Sequence, residues 1–530
     1  MSADQSGNDK HSGSWQPEVE EIERRKTLAY GLGGEKNIKR QHDAGKMTVR
    51  ERIDALVDAE SFYETGIMAG ESRYEKNKLV DCTPCPIVMG VAEIDGRKVT
   101  LHGDDFTIKG ASVGHLYKDK LAYITKMAHE LRLPVLRLLD GAGGTIKEIA
   151  KVGFTELPTI NDVASRQMGN LLSLVPVAAA ALGPVSGLGA LLMVNAHFSV
   201  MVKEKSQVFV GGPPLVQWAF GQQIGKEELG GYRLHAGESG VVDNVAESEE
   251  DAFRQLKTFL SYLPANVWEM PIRQANDDNP KRRSEELLSI IPRNPRKPYD
   301  MRRLLELVFD QNSIFEIGRF QGRSQITALG RLNGYPVGIL ANDCNYRAGS
   351  FAWDVAEKFQ RFVDMCDTFH LPVINMLDQP GFFIGLDAEK YGTIRKGVRA
   401  SFAVLQATVP WTSVYIRKCF GVAGGVQSDP SQLNWRYAWP SAVWGNIPVE
   451  GGVYAAHRAE IEAADDPMAL ARELMETYRG YASPFRTAEA FGIQDIIDPR
   501  DTRSLLCHWV EMVYPVEATR LGVKKRGIRC

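Results

Sequence analysis

The chain has 530 residues, too long for one core, since domains usually split above roughly 250–300 residues. Hydrophobic residues make up 44% and charged residues 24%, which excludes a disordered or membrane-embedded chain and fits a soluble globular one. A net charge of −3 gives no reason to expect nucleic acid or an anionic membrane as partner.

Residues 1 to about 18 are rich in Ser, Gly, Asp and Gln and read as a disordered tail. No apolar signal core or Arg-rich amphipathic stretch follows Met1, which points to the cytoplasm. Residues 19–265 read as a first domain. Within it Cys82 and Cys85 form a CxxC with no second pair at zinc-ribbon spacing, so no metal is expected. The seven scattered cysteines suit a reducing compartment.

Val91 to Val99 alternates in strand fashion around Asp95-Gly96, a hairpin signal. Leu116, Leu121, Ile124, Met127, Ala128 and Leu131 then recur at helical spacing. Leu133-Pro134-Val135 opens a buried strand that ends in Asp140 and runs into Gly141-Ala142-Gly143-Gly144. The apolar run from Leu171 to Val185 is too short and Ala-rich for a membrane span and reads as buried core. Residues 266–298, rich in Pro, Asn, Asp and Arg, form the natural linker to a second domain at 299–530.

That second domain repeats the first. Residues 92–140 read again without a gap 238 positions later, pairing Gly96 with Gly334, Asp105 with Asp343, Lys120 with Lys358 and Asp140 with Asp378. The hairpin signal returns at Asn333-Gly334. The helix returns with Val355, Phe359, Phe362, Val363 and Cys366 on one face. At the same spacing Gly183 and Gly187 fall opposite Gly421 and Gly425. Strands and helices in alternation argue for an α/β fold, built as two tandem domains related by internal duplication. A duplicated domain suggests a site shared between similar halves.

Glycines at strand-to-helix turns expose main-chain N–H groups that stabilise a developing oxyanion by several kcal/mol. Four places qualify: Gly143-Gly144 before Thr145-Ile146-Lys147-Glu148, Gly183 to Gly189, Gly381 to Gly385, and Gly421 to Gly425. Asp140 and Asp378 read as helix caps more readily than as bases. His370, opposite Arg132, belongs to a helix-to-strand connection. No GxSxG elbow, HExxH or P-loop is present.

The residues resemble a known family. Gln41 to Asp54, His102-Gly103-Asp104-Asp105-Phe106-Thr107 and Lys226 to Gly231 with Ser239 to Val242 look like carboxyltransferase β subunits of biotin-dependent acyl-CoA carboxylases. The likeness continues through Asp378 to Phe382, Gly392 to Gly397, Ala407 to Pro410 and Tyr437 to Pro440, and covers about residues 20–515. It implies a crotonase-type (ClpP/crotonase) fold in each half and a ring-like hexamer that sets the N half of one subunit against the C half of another. It implies acyl-CoA on the N half and carboxybiotin on the C half. Gly143-Gly144 would then hold the thioester oxygen and Val422-Ala423 the ureido oxygen, through main-chain N–H groups. Gly183, Gly187, Gly424, Gly425 and Phe382 would line the substrate site. The released biotin would itself be the base.

Three departures stand out. Thr145 replaces the family's common Arg, Phe383-Ile384 replaces Leu-Pro, and Gly424-Gly425 replaces the Tyr-Asp of propionyl- and acetyl-type enzymes. Loss of both side chains should enlarge the acyl pocket. A bulkier, branched or polar acyl-CoA is therefore expected instead of ordinary propionyl-CoA. No biotinyl-lysine motif or ATP-binding glycine loop is visible, so a partner (α) subunit with biotin carboxylase and biotin carrier functions is required. Two rivals stay open: the carboxyltransferase of a membrane-linked acyl-CoA decarboxylase, and a catalytically silent acyl-CoA-binding scaffold.

Overall fold

The computed structural model describes residues 14–146, 150, 153–155, 163–428 and 433–525. Two eight-stranded sheets organise them. In the first, β1 (Tyr63–Glu64), β4 (Ile87–Ile94), β5 (Arg97–Asp104), β6 (Val135–Gly141), β7 (Val177–Ser186), β8 (Phe198–Val202) and β10 (Asn244–Ala246) lie side by side, with β9 (Gln207–Phe209) on β7. A separate hairpin pairs β2 (Gly70–Glu75) with β3 (Lys78–Pro84). The second sheet repeats the order with β11 (Phe315–Glu316), β12 (Gln325–Leu332), β13 (Tyr335–Asn342), β14 (Val373–Gln379), β15 (Trp411–Phe420), β16 (Asn434–Ala438) and β18 (Asp495–Ile496), and β17 (Val443–Gly445) lies on β15. Parallel strands buried on both faces explain the runs of Val, Leu and Ala in β6 and β7.

The expected hairpins form where the turn residues allow positive φ. Asp95 and Gly96 have φ of 50° and 75°, Asn333 and Gly334 of 48° and 80°. An aspartate closes each turn: Asp58 accepts from the N–H groups of Asp95 and Gly96, and Asp310 from those of Asn333 and Gly334, at 3.0 and 2.8 Å in both copies. The duplication thus reaches back to Asp58 and Asp310, well before residue 92. The β2–β3 hairpin, present in the first copy alone among the described residues, changes the spacing between these parts.

The amphipathic helices fall at His115–Leu131 and Trp353–Thr368. Leu121, Ile124 and Ala128 are buried in one, Val355, Phe359, Phe362, Val363 and Cys366 in the other, while Leu131 is exposed. Arg132 and His370 follow in the left-handed conformation, with φ of 56° and 59°. The ring nitrogens of His370 face Glu517 and the Val267 carbonyl, which confirms a role in the connection.

One hydrophobic cluster runs through both halves, where Phe198 stacks on Phe259 and meets Phe315 edge-on. The stretch 266–298 is fixed to both halves: the Val267 N–H donates to the Leu174 carbonyl in the first, Arg282 donates to the carbonyls of Leu307 and Phe309 in the second, and Leu287 is buried. Ordered structure begins earlier than the expected tail end, because helix Gln16–Tyr30 starts before residue 18. Pro17 in its first turn and the pairing of Glu21 with Arg24 and Arg25 favour that start. Residues 1–13 of the expected tail lie outside the described residues. Among the described residues no helix is long and apolar enough to cross a membrane and no group of side chains could hold a metal.

The repeat changes register between its central strands. In the first sheet Val135 pairs with Val177, and in the second Val373 pairs with Trp411. The separation of 238 residues on β6 and β14 becomes 234 on β7 and β15. Gly187 therefore matches Gly421 and Gly183 matches Arg417; Gly425 falls opposite Leu191. The ungapped comparison of Gly183 and Gly187 with Gly421 and Gly425 is corrected accordingly. The connection to β15 is four residues shorter than that to β7, which sequence identity alone did not reveal.

Candidate active site: two crevices at the strand ends

In each half the segments that follow the two central parallel strands meet at the carboxyl ends of those strands and form the walls of a candidate crevice. In the first half one wall is the segment after β6. The Ala142 N–H donates to the Gly110 carbonyl, the Val113 N–H donates to the Gly143 carbonyl, and Gly144 bridges to Val113. The second wall follows β7. Ser186 Oγ donates to the Ala142 carbonyl at 2.6 Å, and Gly187, with φ of 60°, starts helix Leu188–Val194. Gly143 has φ of 79°, and a Cβ there would lie 2.9 Å from the Ser186 carbonyl oxygen, so glycine is required twice over. A Cβ on Gly187 would come within 3.8 Å of Gly143 Cα. The structure thus brings Gly143 and Gly187 together. Gly144 is exposed beside them. Lys147 and Glu148 lie outside the described residues.

The second crevice has the same plan. The Phe351 N–H donates to the Gly381 carbonyl and the Phe383 N–H to the Phe351 carbonyl, so the Phe351–Phe382 bridge copies Val113–Gly144. Phe382 takes the place of Gly144. Its ring packs edge-on against Phe351 and covers Gly397, where a Cβ would meet it at 2.5 Å. Across from it Gly421, with φ of 62°, opens helix Gly421–Ser428. Val422 is 69% exposed and Ala423 is buried. First-turn N–H groups have no acceptor within their own helix, which suits them to an anionic oxygen. The positions matching Val422-Ala423 in the first half are Leu188-Gly189. Gly143-Gly144 match Gly381-Phe382 instead, so the two expected oxyanion pairs are not copies of each other.

Beneath each crevice lies a buried aspartate, and neither caps a helix as expected. Asp140 accepts from Lys46 Nζ at 2.8 Å, Arg52 Nη1 at 3.0 Å and Gln41 Nε2 at 3.1 Å, while Arg52 also pairs with Glu249 at 2.8 Å. Gly183 does not line the crevice: it is buried on β7, and a Cβ there would collide with the Asp140 carboxylate. Asp378 pairs with Arg417 at 2.8 Å and accepts from Tyr299 Oη at 3.1 Å. The Asp140 N–H donates to Asp104 Oδ2 and the Asp378 N–H to Asn342 Oδ1, both at 3.0 Å. Burial pushes the Asp104 carboxyl up to about 7, overcoming the hydrogen bond from Tyr117. In its protonated form Asp104 resembles its neutral counterpart Asn342, and Asp140 and Glu249 are then left to balance Lys46 and Arg52.

Gly424 and Gly425 separate in the structure. A Cβ on Gly424 would lie 2.7 Å from Cys419 Sγ and 3.1 Å from its carbonyl carbon, so that position is packed and contributes no space. At Gly425, which is exposed, an added Cβ has nothing within 4 Å among the described residues beyond its own helix. Of the two glycines, Gly425 alone leaves room beside it among the described residues. Asp140 and Asp378 at the strand ends are buried and internally paired, and the described wall segments Gly143-Gly144 and Gly421 to Ala423 offer main-chain N–H groups. The sequence reading missed Lys46 and Arg52, although both lie inside the stretch 41–54 singled out for its resemblance.

The chain is similar to known proteins along most of its length. The family model described as the carboxyl transferase domain matches residues 40–528. A propionyl-CoA carboxylase carboxyltransferase subunit of Haloferax mediterranei is 36% identical over 497 residues, 92% of this chain and 94% of that protein. A methylmalonyl-CoA decarboxylase subunit alpha of Veillonella parvula is 32% identical over 508 residues, 93% of this chain and 95% of that protein. The crystal structure of transcarboxylase 12S, described as a hexamer with methylmalonyl-CoA and methylmalonic acid bound, superposes with a TM-score of 0.87 at 30% identity, covering 98% of this chain and 99% of that one.

Proposed function

The chain belongs to the carboxyl transferase family, as a crotonase-fold carboxyltransferase of biotin-dependent acyl-CoA carboxylases, and from this membership we propose that its acyl-CoA is bulkier, more branched or more polar than propionyl-CoA. The observation that carries the reading is the open space at Gly425 beside the exposed Val422. Carboxybiotin, delivered by a partner subunit, supplies the carboxyl group. The apolar surfaces of Phe382 and Val422 beside Gly421 suit a ring system on the C-half side.

The chain's own residues have two tasks. The Gly143-Gly144 segment, braced by Ser186, holds the thioester oxygen as the α-carbon loses its proton. Val422-Ala423 hold the ureido oxygen as the carboxyl departs. Across the whole reaction one N–C bond breaks, one C–C bond forms, and the α-proton ends on the ureido nitrogen. Because main-chain groups stabilise both oxyanions, no side-chain acid is needed. We place the two crevices of one site on different subunits of a hexamer like that of transcarboxylase 12S.

The test is kcat/KM across a panel of acyl-CoA thioesters with the biotin-bearing partner present. Larger acyl groups outpacing propionyl-CoA by about tenfold or more supports the reading; propionyl-CoA as the best substrate by far overturns it. The chain alone with ATP and bicarbonate should not carboxylate. The likeness to a methylmalonyl-CoA decarboxylase subunit supports a second reading, the same site run in reverse. Dependence of turnover on a membrane partner would favour it.

A further inference from the structure

The two crevices rest on helices whose far ends are held from below, and the holders differ. Arg137, in the middle of β6, is 2% exposed. Its Nη1 donates to the carbonyls of Leu192 at 2.7 Å and Asn195 at 2.6 Å, at the C-terminal end of helix Leu188–Val194. Those carbonyls have no partner within the helix, and a cation there also complements the helix dipole. Among the described residues no carboxylate pairs with the guanidinium, and Nε has no hydrogen-bond partner. Burial pushes Arg137 down to about 10, so it remains a cation at neutral pH. His102, its register partner on β5, is held neutral by burial and by that charge.

The residue matching Arg137 in the second half is Asn375 on β14. Its Nδ2 donates to the Gln427 carbonyl at 2.6 Å, in the last turn of helix Gly421–Ser428. Gln427 in turn meets Asn342 and Gln325 through its side-chain amide. A neutral amide network does there what one buried cation does in the first half.

In the first half the contacts close a ring. Arg137 and Gly143-Gly144 belong to the same strand and its extension. Arg137 grips the far end of helix Leu188–Val194, the helix begins at Gly187, and Ser186 beside it donates back to Ala142. We propose that Arg137 is a positioning residue for the acyl-CoA crevice, fixing the Ser186–Gly187 wall against Gly143-Gly144 through the helix it holds, while Asn375 fixes the biotin crevice separately. Burying an uncompensated cation is costly and calls for a purpose beyond stability. The inference rests on the assignment of the two crevices to acyl-CoA and biotin.

The experiment uses the complete enzyme with its biotin-bearing partner, propionyl-CoA as acyl probe and free carboxybiotin as biotin-side probe. Arg137→Met should lower kcat/KM for propionyl-CoA about tenfold to a hundredfold, the scale of a misplaced reacting group. Decarboxylation of free carboxybiotin without acyl-CoA should stay within about twofold of wild type, and Arg137→Lys should restore part of the loss. Asn375→Ala should show the opposite selectivity. Amide hydrogen exchange should quicken at 142–144 and 183–194 in Arg137→Met and remain unchanged at 421–428. Ser186→Ala cuts the same ring near the surface and should reproduce the selective acyl-side loss should Arg137→Met fail to fold. Equal losses on both probes, or faster exchange at 421–428 alone, overturn the proposal. Reversed selectivity, with Arg137→Met impairing the carboxybiotin probe alone, overturns the assignment of crevices while leaving the brace intact.

Discussion

Asp140 and Asp378 occupy the same place under the two crevices, yet their charges are met from different directions. In the first half the cations come from the chain ahead of the sheet, Lys46 and Arg52, and β7 carries Gly183 to leave them room. In the second half the matching β15 position is itself the cation, Arg417. One architecture has therefore settled the same buried charge twice, by independent residues. What is shared is the need to order the strand end, and what differs is the route by which the compensating charge arrives.

The largest effect should come from removing one of these cations. Arg52 serves two carboxylates, so Arg52→Met leaves Glu249 buried without its partner and should cost about 3–5 kcal/mol in denaturant unfolding. Arg417→Met leaves Asp378 with the Tyr299 hydroxyl and the Lys418 N–H, and should cost somewhat less in the same assay. A loss below about 1 kcal/mol for Arg52→Met would mean that Lys46 neutralises Asp140 unaided and that Glu249 is relieved by a proton or another donor.

A medium effect concerns the second difference, Asp104 against Asn342. Burial raises the folded Asp104 carboxyl to about 7, above its usual value of 3.8. A raised carboxylate pKa means that the folded state holds the proton more tightly. Stability is therefore undiminished below about pH 4 and declines as pH rises towards 7, by about 2–4 kcal/mol. Asp104→Asn converts the first half to the pattern of the second and should flatten that slope, leaving stability near pH 4 almost unchanged. Urea midpoints of both proteins between pH 4 and 8 measure it. A parallel pair of profiles would show that Asp104 is ionised in the fold and balanced by its neighbours.

Much of this was legible in the sequence because local chemistry forced it. Asp95-Gly96 and Asn333-Gly334 specify tight hairpins, and a helix followed by Leu-Pro-Val and a strand ending in aspartate recurs with a constant spacing. The register change was not legible, because deleting four residues from a connection leaves no mark within the strands it joins. Gly183 and Arg417 look unrelated until strand pairing places them together. The roles of Arg137 and Asn375 were hidden for a similar reason: in a run such as Val135–Gly141 nothing local indicates which carbonyl a side chain will reach. The reading of Gly424 failed on packing, since glycine in sequence denotes either space or close approach, and only Cys419 decides between them.

The smallest effect should come at Gly425, and it bears directly on how the halves diverge. The first half carries Leu191 there, 46% exposed, so the fold accepts a side chain at this point of the helix. An Ala at 425 meets no atom within 4 Å among the described residues beyond its own helix and replaces a helical glycine, which should raise stability by about 0.5–1 kcal/mol. Gly424→Ala, one residue earlier, pushes a Cβ against Cys419 and should lower it by about 1–3 kcal/mol. Opposite signs at adjacent glycines in thermal unfolding would separate a glycine kept for packing from one whose value is the space it leaves. Gly425→Asp then asks what that space is for. It should leave the midpoint within about 0.5 kcal/mol, as surface substitutions do, and narrow the acyl-CoA panel towards propionyl-CoA. An unchanged panel would place acyl selection in the first crevice and leave the second to biotin alone.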